Sequence, residues 1–222
     1  MTKPSRPTDA VRALVARISE EILFGRLLPR ERLIEDDLIA RTGATRHTVR
    51  AALQNLVRDG LIVHHPNRGA QVSSFSPEEV DEITDMRELL HAEAARRIPL
   101  PPPPGLVEAL SAIEAAHADA VECGDLSAIH AENDRFHETL FAACGNRYLV
   151  AAIRDHSRKS LAFRCHAMAD PALARRARDE HRAMLAAMAN ADRDALVRLC
   201  VGHTSFAKRA YGRVLGIAAA AE

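Results

Sequence analysis

Residues Thr45 to Val63 read TRHTVRAALQNLVRDGLIV. Val49, Ala52, Leu53, Leu56 and Val57 recur at i, i+3, i+4, i+7 and i+8, which lays one apolar face along a helix. Thr45 is the expected N-cap, since its side-chain oxygen can accept from an N–H the helix leaves unpaired. Gly60 supplies a left-handed stop, and a strand begins directly after it. Arg46, His47, Arg50 and Gln54 are left at the start or along the exposed flank. A helix that packs by one face and presents arginines on its leading half has the chemistry to read base edges in a DNA major groove.

The flanking sequence completes a small domain around this helix. Val11, Leu14, Val15, Ile18 and Ile22 form an apolar stripe that predicts a helix over residues 9–24, ended by Gly25. A loop through Pro29 leads to a short helix over 35–41, closed by Thr42-Gly43. Downstream, strands are expected around 61–64 and 70–73, joined by His65-Pro66-Asn67-Arg68-Gly69. Three helices and a two-stranded wing make a winged helix-turn-helix over residues 9–75, with residues 1–8 a basic, disordered tail. Arg46 and Arg50 can fork onto guanine or clamp a phosphate, and Thr45 and Thr48 can donate to phosphates. Arg68, at the wing tip beside Gly69, suits a minor groove or a phosphate. His47 joins this set. Gln54 lies deeper along the helix, and His64 and His65 are strand-end surface residues.

From Pro77 onward the pattern is helical throughout. Helices are expected over 77–97, 105–123, 126–143, 146–169, 172–189 and 192–215, an all-α bundle of six or seven helices spanning residues 76–222. Ser76 is a candidate N-cap, and Pro77, Glu78 and Glu79 suit a first turn. The run PLPPPP at 99–104 cannot be helical and is read as a stiff loop between two helices. The chain as a whole is therefore mainly α. Its formal net charge is zero, which taken whole argues against a nucleic-acid binder. The division matters more: residues 1–75 hold 12 Lys/Arg against 8 Asp/Glu, and the remainder 18 against 22. A basic front and an acidic rear suit a DNA-contacting module carried by a second domain with another task. Cys123, Cys144, Cys165 and Cys200 form no CxxC pair and are expected to be reduced thiols of a cytoplasmic protein. No secretory signal or membrane-length apolar run is present in the sequence.

Three later helices each place a histidine on an apolar stripe. His137 lies with Ile129, Phe136 and Leu140, with Asn133 one turn before it; His181 lies with Ala177, Met184, Leu185 and Met188; His203 lies with Leu196, Leu199, Cys200 and Phe206. A single buried histidine is usually a satisfied core residue. Three facing one core would each cost a few kcal/mol unless paired, and a divalent metal offers one partner for all of them. Asp134 is rotated about 100° from Asn133, toward His130, which reads as a surface pair. His91, His117, His130, His156 and His166 are left as surface or pocket-lining residues.

These elements in this order resemble the GntR family of bacterial transcription regulators, in its FadR-like branch with the all-helical FCD ligand-binding domain. The front likeness spans residues 10–73. It rests on Gly25-Arg26-Leu27-Leu28-Pro29, the run Arg46 to Leu53, Leu56 with Asp59-Gly60-Leu61, and Arg68-Gly69. The rear likeness spans residues 77–215 and rests on Arg87, Phe136-His137, Gly145-Asn146 and the two later histidines. One departure is Pro29-Arg30-Glu31, where the family usually has Pro-Gly before its Glu. The resemblance implies a homodimer on a double-stranded DNA operator of two half-sites, contacted by Arg46 and Arg50, and a regulator that is commonly a repressor. It implies a metal held by Asn133, His137, His181 and His203, with Asn133 standing where aspartate is more usual. Zinc heads the candidates, with nickel or manganese as alternatives. It also implies a small organic acid effector near Arg87, whose guanidinium can hold a carboxylate in bidentate fashion. The competing reading for Arg87 is a pair with Glu88 or a neighbouring acid. Two other functions remain open on the residues: a non-sensing dimeric DNA-binding protein with a structural metal, and a metal-dependent hydrolase. The second lacks both an HExxH spacing and a base facing the histidines.

Overall fold

Apolar periodicity resolves into ten helices and one small sheet among the described residues, which are 7–65 and 69–214 of a computed structural model. For residues 7, 165–168, 206, 209 and 212–214 only the backbone is described. The chain divides into two compact units, Met1–Phe75 and Ser76–Glu222.

In the first unit, α1 (Pro7–Leu23), α2 (Glu35–Thr42) and α3 (Arg46–Arg58) are joined by β1 (Arg32–Leu33), β2 (Ile62–His65) and β3 (Gly69–Val72). Leu14, Ile18 and Ile22 recur every fourth residue of α1 and are buried with Val49, Ala52, Leu53 and Leu56 of α3 and Leu38 of α2. Burying each such Leu or Ile side chain contributes about 1.5–3 kcal/mol, which holds the three helices in one arrangement. Pro7 and Thr8 already belong to α1; the rest of the expected tail lies outside the described residues. The sheet has the order β1-β3-β2, all antiparallel, with Ile62 opposite Val72 and Arg32 opposite Gln71. The strand β1 was not expected: two residues are too few for an alternation to register.

The turn before β1 meets its missing glycine directly. Arg30 adopts φ +69°, the left-handed region, where a side chain costs about 1–2 kcal/mol. The neighbouring strand holds it there: the Arg30 N–H donates to the Val72 carbonyl at 3.1 Å, and Gln71 Nε2 donates to the Arg30 carbonyl.

The second unit comprises α4 (Pro77–Arg97), α5 (Leu106–Cys123), α6 (Leu126–Ala142), α7 (Arg147–Lys159), α8 (Leu161–Met168), α9 (Pro171–Ala189) and α10 (Arg193–Val214). Side chains fix the starts: Ser76 and Glu79 form a reciprocal capping box on α4, Asp125 caps α6, and Asn146 caps α7. Phe136, Leu140, Phe141, Met184, Met188, Leu196 and Cys200 pack one core with Ala94, Ile98 and Leu110. The proline run is a non-helical link between α4 and α5. Among the described residues, no helix is long and apolar enough to cross a membrane.

The single helix expected over 146–169 is two. The carbonyl of Ser157 accepts from the Ser160 hydroxyl at 2.9 Å and from Arg164 Nη2 at 3.4 Å. Serine hydroxyls compete in this way for helix carbonyls, and the chain turns at Ser160 between α7 and α8. This break sets the direction in which Arg164 enters the unit.

Candidate functional site

The first unit presents the leading half of α3. The Thr45 hydroxyl accepts from the Thr48 N–H at 3.2 Å, so Thr45 caps the helix as expected. Thr48 itself turns inward: it is buried, and its hydroxyl lies 2.9 Å from that of Thr45. Thr48, expected to donate to a phosphate, here has its N–H on the Thr45 cap and its hydroxyl against the Thr45 hydroxyl. Thr45, Arg46, His47, Arg50 and Gln54 are exposed. Gly69 opens β3 at φ +78°, while Arg68 lies outside the described residues. The arginines are not solitary. Arg46 meets Asp36 at 2.7 Å, and Arg50 Nε donates to both oxygens of Glu35 at 3.0 and 3.1 Å. These two pairs were not anticipated from the sequence, because they depend on the helix-turn-helix crossing that brings the N-termini of α2 and α3 together.

The second unit gathers its histidines as the stripes predict. Nitrogens of His137 on α6, His181 on α9 and His203 on α10 all lie within 4.8 Å of one another. His137 Nε2 and His181 Nε2 are 3.3 Å apart; two nitrogens sharing one metal at about 2.1 Å, at angles of about 90–109°, sit about 3.0–3.4 Å apart. His203 Nδ1 is 2.7 Å from Glu180 Oε2, the kind of carboxylate contact that orients a ligating imidazole. Phe136 stacks on His181 with ring centroids 4.1 Å apart, fixing that ring. Burial, reinforced by the neighbouring imidazoles, holds His137 and His181 well below the usual histidine range. Both are neutral at pH 7, the form that ligates metals. Asn133 is buried to 1% exposure; its Nδ2 donates to Asp134 at 3.3 Å, and its Oδ1 has no hydrogen-bond partner among the described residues. Three neutral imidazoles and an orphaned amide oxygen one helical turn from His137 fit a divalent metal.

Two histidines that the sequence left as surface or pocket-lining residues are buried, and His91 does line a cavity beside the cluster. His117 on α5 stands 5.0 Å, ring to ring, from His181, and burial pushes it down to about 4. His91 on α4 packs 4.6 Å from the Phe141 ring, and its Nδ1 faces the Cys200 carbonyl at 3.4 Å. Their stripes gave the signal: Leu110, Ile113 and His117 recur at helical spacing, as do Thr84, Arg87 and His91.

Beside the cluster lies a cavity of about 280 Å³, walled by Arg87, His91, Asp134, His137, Phe141 and Arg164 among others. Arg87 is 4% exposed, and its Nε and Nη1 have no hydrogen-bond partner among the described residues. Burial, then the nearby Arg164, pushes its pKa down to about 9, so it stays cationic at pH 7. The competing reading was a pair with Glu88 or a neighbouring acid; among the described residues Arg87 has no ion pair with either, and Glu88 accepts from Thr204 at 3.3 Å. Arg164, also buried, donates to Asp134 at 3.2 Å while its Nε lacks a partner. Sequence reasoning missed Arg164, because the break at Ser160 sets its direction.

A helix-turn-helix with a small sheet is thus carried on one chain with an all-helical unit that encloses a histidine cluster and a cavity lined by buried arginines. The family models agree: residues 10–72 match the gntR family of bacterial regulatory proteins, and residues 82–206 match the FCD domain. The chain belongs to the GntR family, with an FCD domain. It is 31% identical over 111 residues to an HTH-type transcriptional regulator in the TAR-I ttuE-ttuC' intergenic region of Agrobacterium vitis, covering 49% of this chain and 65% of that protein. It is 25% identical over 167 residues to an HTH-type transcriptional regulator in an unstable DNA locus of Streptomyces ambofaciens, covering 73% and 69%. Among solved structures, a transcriptional regulator GntR from Rhodococcus sp. RHA1 has a TM-score of 0.70 at 19% identity, covering 93% of this chain and 97% of that one. E. coli McbR/YncC has a TM-score of 0.62 at 20% identity, covering 92% and 94%. These two share the fold.

Proposed function

We propose that this chain is a ligand-controlled transcription regulator acting as a homodimer on a two-half-site operator. Arg46 and Arg50 contact DNA from α3, supported by Thr45, His47 and the wing at Arg68-Gly69. Asn133, His137, His181 and His203 hold a divalent metal, zinc first, which supplies positive charge and open coordination positions. The effector is a small organic acid whose carboxylate meets Arg87. The observation that carries this reading is the shared wall: His137 belongs both to the histidine cluster and to the cavity holding the unpartnered Arg87 guanidinium. An unpaired buried cation is costly, and a bound carboxylate relieves that cost.

Control follows from linkage. An effector that binds one state of the dimer better than another shifts DNA affinity by the ratio of its two affinities; release of DNA is the expected direction for a repressor. The test is a carboxylate panel on the zinc-loaded protein, read by melting temperature and by retention on an operator fragment selected from random DNA. Stabilisation by at least one acid, with altered retention, is expected. A panel in which no acid moves either readout contradicts the sensing role.

A further inference from the structure

Resting on the reading that this cavity binds a small organic acid, we propose that Arg164 is a second anion anchor and that the effector is a dicarboxylate, one carboxylate on Arg87 and the other on Arg164. Four arginines line the cavity, Arg87, Arg154, Arg158 and Arg164, against two carboxylates, Asp134 and Glu138. The two rim arginines are satisfied in exposed pairs: Arg154 with Glu138 at 3.1 Å, and Arg158 with Asp155 at 3.2 Å. With Asp134 shared against them, the two buried guanidiniums, 4% and 6% exposed, keep one net positive charge, and the Nε atoms of both lack partners among the described residues.

Asp134 is the one acid of the wall that touches this pair, and it is divided. One of its oxygens serves Arg164 and Asn133, and the other lies 3.6 Å from His130. A monocarboxylate on Arg87 leaves the Arg164 Nε unpaired, whereas a two-headed acid satisfies both guanidiniums. Mutual repulsion acts the same way, since Arg164 adds to the burial that already disfavours the Arg87 cation. Asn133 strengthens the preference: an amide at that position contributes no negative charge to the neighbouring cluster. The cavity volume of about 280 Å³ leaves room for a small organic acid.

The experiment is calorimetric titration of the zinc-loaded full chain with propanoate and lactate on one side and succinate, malate and citrate on the other. At least one of the multi-carboxylate acids is expected to bind at least about tenfold tighter than either monocarboxylate, the effect of one added charge-assisted contact. Arg164→Gln is expected to remove that gap. Asp134→Asn, which frees Arg164 without deleting it, is expected to widen it, so the two variants move affinity in opposite directions and a folding defect cannot imitate both. Monocarboxylates binding as tightly as diacids would overturn the dicarboxylate assignment while leaving an organic-acid sensor intact. So would a folded Arg164→Gln protein that keeps the gap. If no acid of either group binds, the cavity reading fails and this proposal with it.

Discussion

The two units each use a pair of arginines, and they treat them in opposite ways. Arg46 and Arg50 stand exposed on α3, and each is held by a carboxylate of α2. Arg87 and Arg164 are buried, and between them they touch one carboxylate, Asp134. Exposed ion pairs are worth about 0–1 kcal/mol, so DNA phosphates can displace Glu35 and Asp36 at little cost. A buried guanidinium without a partner costs several kcal/mol; Arg87 has none among the described residues, whereas Arg164 has Asp134, so it is Arg87 that is poised for an anion. The front arginines are both stored in reversible internal pairs; of the rear two, Arg164 has an internal carboxylate and Arg87 has none among the described residues.

The largest expected effect comes from cutting the front pair. Arg50→Ala should weaken operator binding by about 1–3 kcal/mol per half-site, multiplied across a two-fold complex. Melting temperature should stay within about 1 °C, as for other exposed substitutions. Footprinting identical to the parent would break the assignment of α3 as the reader.

The rear pair should behave in the reverse sense. Arg87→Met removes an unsatisfied buried charge but keeps an unbranched apolar stem, and should stabilise the ligand-free protein by about 1–3 kcal/mol, read by urea titration. The same variant should lose stabilisation by organic acids. Destabilisation of the ligand-free protein would mean that Arg87 is satisfied internally and that the contrast with Arg50 is false.

Glu35→Gln sharpens the front half of the comparison. Freeing Arg50 from a carboxylate should raise affinity for non-operator DNA about threefold at low salt, with the gain shrinking as salt rises. No change in fluorescence anisotropy with a random duplex would show that the pair does not restrain the reader.

The smallest effect concerns the turn. Arg30→Gly relieves the left-handed strain at φ +69° and should stabilise the protein by about 0.5–1 kcal/mol, less whatever the Arg30 Nε bond to Ser74 contributes. A lower melting temperature would show that this bond outweighs the strain.

These contrasts also mark what the sequence made legible. Regular spacing on an unbroken helix was readable: Val49 to Leu56 gave α3, and the stripes of α6, α9 and α10 brought His137, His181 and His203 within one cluster. What depended on tertiary crossing was not. The pairing of Glu35 with Arg50 spans two helices. Arg164 enters the cavity wall after a turn set by one serine hydroxyl, and a period count passes over such a turn. His117 and His91 lay on readable stripes, but histidine is borne equally by surfaces and cores, so residue type alone did not decide their burial. β1 gains its place only by pairing with β3 at Gln71 and Ala70.

The central claim is that occupancy of the rear cavity changes DNA affinity, and thermodynamic reciprocity tests it most directly. The dissociation constant of the tightest-binding organic acid would be measured by calorimetry on the zinc-loaded protein, free and saturated with operator DNA. The account predicts that operator DNA shifts the acid's affinity by the same factor by which the acid shifts operator affinity, about 5- to 150-fold for typical coupling. Equal affinity for the acid with and without operator would contradict it.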